Sequence, residues 1–134
     1  MLSKELKSVA STLSILYVED EEDTRVQIAE ILRMFFKNVV VAANGIEGLN
    51  IFSAHSIDLT LSDVTMPVMD GITMVKNILD IRPDAKIILM TAHNSGEAQL
   101  DKHNLNITGN IHKPIELSKT LQLLYDVCSD IIKE

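Results

Sequence analysis

Short apolar runs alternate along this chain with longer stretches in which apolar residues recur every three or four positions. The runs at 14–18, 38–43, 58–62, 86–91 and 107–112 are rich in Val, Ile and Leu, and mostly apolar on both sides. That is the pattern of strands covered on two faces rather than one. Between them, Ile28, Ile31, Leu32 and Phe35 share a helical face, as do Ile46, Leu49 and Phe52, and then Ile72, Val75 and Leu79. The last stretch carries Leu117, Leu121, Leu124, Cys128 and Ile131 on one stripe, the spacing of an amphipathic helix. Asn44 with Glu47 three residues on reads as a helix start, because each side chain can reach a backbone N–H left free there. Strand and helix alternate five times. The prediction is an α/β fold, a five-stranded parallel sheet with helices on both faces.

Two segments depart from this regularity. Residues 1–12 place Leu2, Leu6 and Val9 at helical spacing ahead of the first strand. A short additional helix docked on the body is expected there, ahead of a frayed end. The chain then divides into an N-terminal extension, 1–12, and one domain, 13–134. Residues 94–106 hold few apolar groups, Gly96 and several Asn, and are expected to form the least stable helix.

Composition narrows the class. A length of 134 residues suits one domain. With 46% apolar and 23% charged residues, five Gly and three Pro, a disordered or collagen-like chain is excluded. A net charge of −7 without a long basic run argues against direct nucleic-acid binding, which needs cations to displace counterions. Cys128 is the single cysteine, so no internal disulfide and no cysteine-based zinc site can form. Apolar runs of four to six residues are too short to span a bilayer. Lys4, Glu5 and Lys7 interrupt anything resembling a signal peptide. A soluble, reduced, cytoplasmic protein without membrane association is expected.

Ligands of open parallel sheets bind at the carboxyl ends of the strands. There the first strand runs into Glu19 and Asp20, the third into Asp63, the fourth into Thr91 and Ala92, and the fifth into Lys113 and Pro114. Crowded carboxylates raise one another's pKa unless a cation neutralises them. An all-oxygen set favours a hard cation, Mg²⁺ over zinc. A carboxylate on a metal can also attack phosphorus and form an acyl phosphate. Lys113, Thr91 and the backbone N–H groups after Asp63 are the donors such a phosphoryl group would need.

Taken in order, Val18-Glu19-Asp20-Glu21, the run Ser62-Asp63-Val64-Thr65-Met66-Pro67-Val68-Met69-Asp70-Gly71, Thr91-Ala92 and Lys113-Pro114 resemble the receiver domain of bacterial two-component response regulators, including the chemotaxis regulators. The resemblance runs from about Leu13 to the C-terminus. It implies a flavodoxin-like sheet of order 2-1-3-4-5, an order established for the chemotaxis regulator, and a cis Lys113–Pro114 bond. Asp63 would accept a phosphoryl group from a histidine kinase or phosphotransfer protein. Asp20, Asp63 and the Thr65 main-chain carbonyl would hold Mg²⁺ directly, and Glu19 through water. Thr91 would bind a phosphoryl oxygen after the switch, and Lys113 would pair with the group. The output surface would be the face of the fourth helix, fifth strand and fifth helix of the alternation. Such a protein catalyses its own phosphorylation and dephosphorylation, and is not a multi-turnover enzyme on a separate substrate.

Two positions differ from the common pattern. Asn110 stands where relatives carry Tyr or Phe, and an amide cannot fill the space of a ring. Activation would then rest on Thr91 and on residues 95–106. The amide also offers hydrogen bonds that can tie the fifth strand to the loop after the fourth. Thr65 and His93 flank the path of attacking water, so the lifetime of the phosphoryl group does not carry over.

Other classes fit less well. An aspartyl-phosphate phosphohydrolase needs a second acid two residues after its nucleophile, where Thr65 stands. A flavodoxin-like FMN carrier needs a phosphate-friendly first loop, and 19–23 is acidic instead. A degenerate receiver that binds partners without phosphorylation draws some weight from Asn110. His55, His93, His103 and His112 show no metal-ligand spacing and read as surface residues, whereas Met34, Met74, Met90 and Cys128 read as packing residues. The chain ends with its last helix, as in a stand-alone regulator or a receiver within a longer protein.

Overall fold

The computed structural model describes residues 2–92 and 105–134. Its elements are α1 (Leu2–Ala10), β1 (Ser14–Val18), α2 (Glu22–Arg33), β2 (Asn38–Ala42), α3 (Gly45–Ala54), β3 (Leu59–Asp63), α4 (Gly71–Ile81), β4 (Ile87–Thr91), β5 (Gly109–His112) and α5 (Leu117–Lys133). All pairings between strands are parallel, in the order β2-β1-β3-β4-β5. The sheet therefore has the predicted order, with its centre on the strands that carry the acids. The segment expected to be the least stable helix, with His93 and His103, lies largely outside the described residues.

Side chains alternate across a strand, and here each set has its own core. Ile15, Tyr17, Leu59, Leu61, Ile88, Met90 and Ile111 pack with Leu6 and Val9 of α1, Leu32 of α2, and Leu121, Leu124 and Cys128 of α5. Leu16, Val18, Ile87 and Leu89 face the other way, against Phe52 of α3 and Ile72, Met74, Val75 and Ile78 of α4. Burying each such side chain stabilises the fold by about 1.5–3 kcal/mol relative to exposure. Helix α1 lies against α5, with Leu6, Val9 and Ala10 buried.

The caps follow from local chemistry. Asn44 accepts from Glu47 N–H at 3.0 Å, and the Glu47 carboxylate reaches back to Ala43 N–H at 3.3 Å. That reach draws Ala43 out of β2, one residue earlier than its composition predicts. At β5, Ile107 N–H donates to the Leu105 carbonyl at 3.1 Å, a local turn that keeps Ile107 out of the strand.

Four apolar positions correct the helical-face reading. Ile31, Met34, Ile46 and Leu117 are 41%, 65%, 43% and 57% exposed. Met34 caps the C-terminus of α2 beyond its packed face. Ile46 and Leu117 stand in the first turns of their helices, ahead of the packed Phe52 and Leu121. Ile31 borders the buried line of Ala29, Leu32 and Phe35 without joining it.

Candidate phosphoacceptor site

Three strands converge on one sheet edge. Each one's hydrogen-bond ladder continues past its last residue or along its neighbour's. Glu19 N–H donates to the Ala42 carbonyl at 3.0 Å, Val64 N–H to Met90 at 3.2 Å, and Lys113 N–H to Thr91 at 2.9 Å. The side chains beside these bonds thus inherit the rigidity of the sheet. Glu19 and Asp63 are buried and Asp20 is exposed. One carboxylate oxygen from each of the three lies within 4.8 Å of the other two. From β5, Lys113 Nζ donates to Asp63 Oδ2 at 2.7 Å, and the Lys113–Pro114 peptide is cis.

Three carboxylates against one ammonium leave an excess of negative charge. Its effect falls on Glu19, whose carboxyl is pushed up to about 7, first by burial and then by the charge of Asp63. Glu21 N–H, donating to Glu19 Oε2 at 3.2 Å, and the charge of Lys113 pull the other way. Beneath the acids lies Tyr17, fully buried. Its pKa is raised by burial and then by Glu19 and Asp63.

The loop after Asp63 is held tightly. Gly71 N–H donates to the Val64 carbonyl at 2.7 Å. A Cβ at Gly71 would run into the carbonyl oxygen of Asp63, so this close approach requires glycine. Ser62 Oγ donates to the same Asp63 carbonyl at 2.8 Å. Between them, Val68 has φ 70, and Met69 N–H closes a three-residue turn onto the Pro67 carbonyl at 2.8 Å. Asp70 then caps α4 by accepting from Thr73 N–H at 2.8 Å.

Thr91 is buried at the end of β4, and its hydroxyl donates to Asn110 Oδ1 at 3.1 Å. Thr65 lies two residues past Asp63 and is exposed. His93 falls outside the described residues. The structure thus brings Glu19, Asp20, Asp63 and Lys113 together, with Thr91 one residue past Met90, the partner of Asp63. Arg25 escaped the sequence reading. Its Nη1 donates to the Glu19 carbonyl at 2.8 Å, fixing the turn that presents Asp20. The only signal for it was a cation one turn into the helix leaving the acids.

The site thus joins an open parallel sheet to a lysine-paired carboxylate and two further acids at the ends of its strands. The sequence matches the response regulator receiver domain over residues 15–125, and the chain belongs to that family. It is 34% identical over 111 residues to the chemotaxis protein CheY of Bacillus subtilis, covering 82% of this chain and 92% of that one. It is 32% identical over 111 residues to the autoinducer 1 sensor kinase/phosphatase LuxN of Vibrio harveyi, covering 83% of this chain and 13% of that protein. Among solved structures, the CheX–CheY–BeF₃–Mg complex of Borrelia burgdorferi superposes with a TM-score of 0.77 at 30% identity, over 87% of this chain and 90% of that one. This is a receiver domain of two-component signalling. The family generally binds Mg²⁺ at an acidic pocket, and the cluster fits that ion. Its donors are carboxylate oxygens, and among the described residues no nitrogen or sulfur ligand joins them to favour zinc. No helix among the described residues is long and apolar enough to cross a membrane.

Proposed function

We infer that this domain is a cytoplasmic switch thrown by phosphorylation of Asp63, with 13–134 as the working unit and 1–12 as an extension docked on it. The observation that carries this reading is the 2.7 Å ion pair between Lys113 and Asp63, set within 4.8 Å of two more acids. Asp20, Asp63 and the Thr65 carbonyl would hold Mg²⁺ directly, and Glu19 would hold it through water. When bound, the ion would supply charge neutralisation for an incoming phosphoryl group. A phosphohistidine on a histidine kinase or phosphotransfer protein is the donor. An Asp63 oxygen attacks phosphorus, the P–N bond breaks with its electron pair going to the imidazole, and the imidazole takes up a proton.

Lys113 stays beside the product, where its ammonium offsets the gain from a monoanionic carboxylate to roughly a dianion. The Thr91 hydroxyl and the N–H groups following Asp63 supply donors for the equatorial oxygens. Binding that charge more tightly in one conformation shifts a pre-existing equilibrium. The readout is taken by an output domain or partner at the face formed by β5, α5 and the segment between β4 and β5.

Acetyl phosphate tests the assignment without a kinase. Labelling at Asp63 should require Mg²⁺ and vanish in Asp63→Asn. Equal labelling of that variant at another carboxylate would refute it. Lys113→Ala should keep the fold and lose the conformational response. A wild-type response there would remove Lys113 from the site.

A further inference from the structure

We propose that Asn110 is a positioning residue that holds the Thr91 hydroxyl proton in the resting domain, so that phosphorylation must take this proton away from it. This rests on the reading of Asp63 as phosphoacceptor and specifies how that site is restrained. A threonine hydroxyl has one proton to donate. Here it goes to Asn110 Oδ1 at 3.1 Å. Thr91 itself is 0% exposed, out of contact with bulk solvent.

The register makes the contact specific. Asn110 pairs with Leu89, and Thr91 with His112. Leu89, Thr91 and Asn110 therefore project from the same face of the sheet, with Asn110 diagonal to Thr91. On the next strand Asp63 pairs with Met90, one residue short of Thr91, and under the proposed function the Thr91 hydroxyl is a donor to the phosphoryl group on Asp63. A phosphoryl group on Asp63 adds three strong acceptor oxygens there. One proton cannot serve both sides. An apolar side chain at 110 would place no acceptor in competition, and a carboxylate would hold the proton more strongly through a charge-assisted bond. Asn110 therefore sets a threshold between those limits.

The test is binding of beryllofluoride with Mg²⁺, titrated by fluorescence or calorimetry, in the full chain. A net hydrogen bond corresponds to roughly 2–10-fold in an equilibrium constant. Asn110→Leu should bind the mimic tighter by about that factor, and Asn110→Asp should bind it weaker. In a Thr91→Ala background the Asn110→Leu gain should disappear, because the proton at issue is gone. Equal affinities across the series, or a gain that persists without Thr91, would overturn the proposal. A second measurement needs no variant to fold: the Asn110 side-chain amide resonances of the wild type should shift when the mimic binds, and unmoved resonances would also overturn it. Wild-type protein that fails to bind the mimic, or binds it equally well as Asp63→Asn, would instead refute the phosphoacceptor reading beneath it.

Discussion

Backbone strain beside the site falls on one of the described residues. Val68 sits at φ 70, a region where a β-branched residue is an outlier and where the Cβ of an L-residue costs about 1–2 kcal/mol. The side chain is 77% exposed, so packing gives little in return. What fixes the conformation is the backbone around it: Met69 N–H on the Pro67 carbonyl, and Gly45 N–H on the Met69 carbonyl at 3.0 Å. Replacing Val68 by Gly should remove the Cβ clash while adding entropy to the unfolded chain. The expected net gain is ~0.5–1 kcal/mol in urea denaturation. A loss of stability would mean that Val68 makes a contact outweighing its backbone cost. Neighbouring Gly71 shows the opposite constraint, since its hydrogen atom is all the space beside the Asp63 carbonyl permits.

At the level of elements, α1 adds a helix that precedes the matched receiver residues 15–125. It is held by Leu6 and Ala10, both 0% exposed, and by Val9. They close the face on which Cys128 and Leu124 of α5 lie. Leu6→Ala should cost about 2–5 kcal/mol, the range for truncating a buried leucine. A change below ~0.5 kcal/mol, the size of an ordinary surface substitution, would show that α1 contributes nothing to the core. The elements themselves were largely legible. Five runs of branched apolar residues predicted the sheet, and the acids, Thr91 and Lys113 stood out because each stands at or just past the end of such a run. What escaped was set by partners distant in sequence or by local turns. Ile107 leaves β5 because its N–H turns back to Leu105. Leu117 has helical spacing but sits a turn ahead of the packed part of α5. The role of Arg25 depends on a carbonyl six residues back, and the Thr91–Asn110 bond joins groups 19 residues apart. Periodicity carries no information on either.

For the molecule as a whole, the stability of the fold and the occupancy of the site are coupled through protons. Burial and Asp63 raise the Glu19 carboxyl from 4.5 to about 7. Between those values the folded domain holds a proton on Glu19 that the unfolded chain has released. Stability without a divalent cation must therefore fall as pH rises from about 4.5 through about 7, by at most about 1.4 kcal/mol per pH unit for one proton. Mg²⁺ reverses the sign of its own contribution, because it binds the ionised carboxylates and competes with that proton. Melting curves in chelator should thus show a decline over this interval that Glu19→Gln, which carries no titrating group there, lacks. In wild type the rise in melting temperature on adding Mg²⁺ should grow from pH 6 to pH 8. The variant should show a rise that depends less on pH, since Asp20 and Asp63 remain. Parallel wild-type and variant profiles would show that Glu19 does not hold the proton.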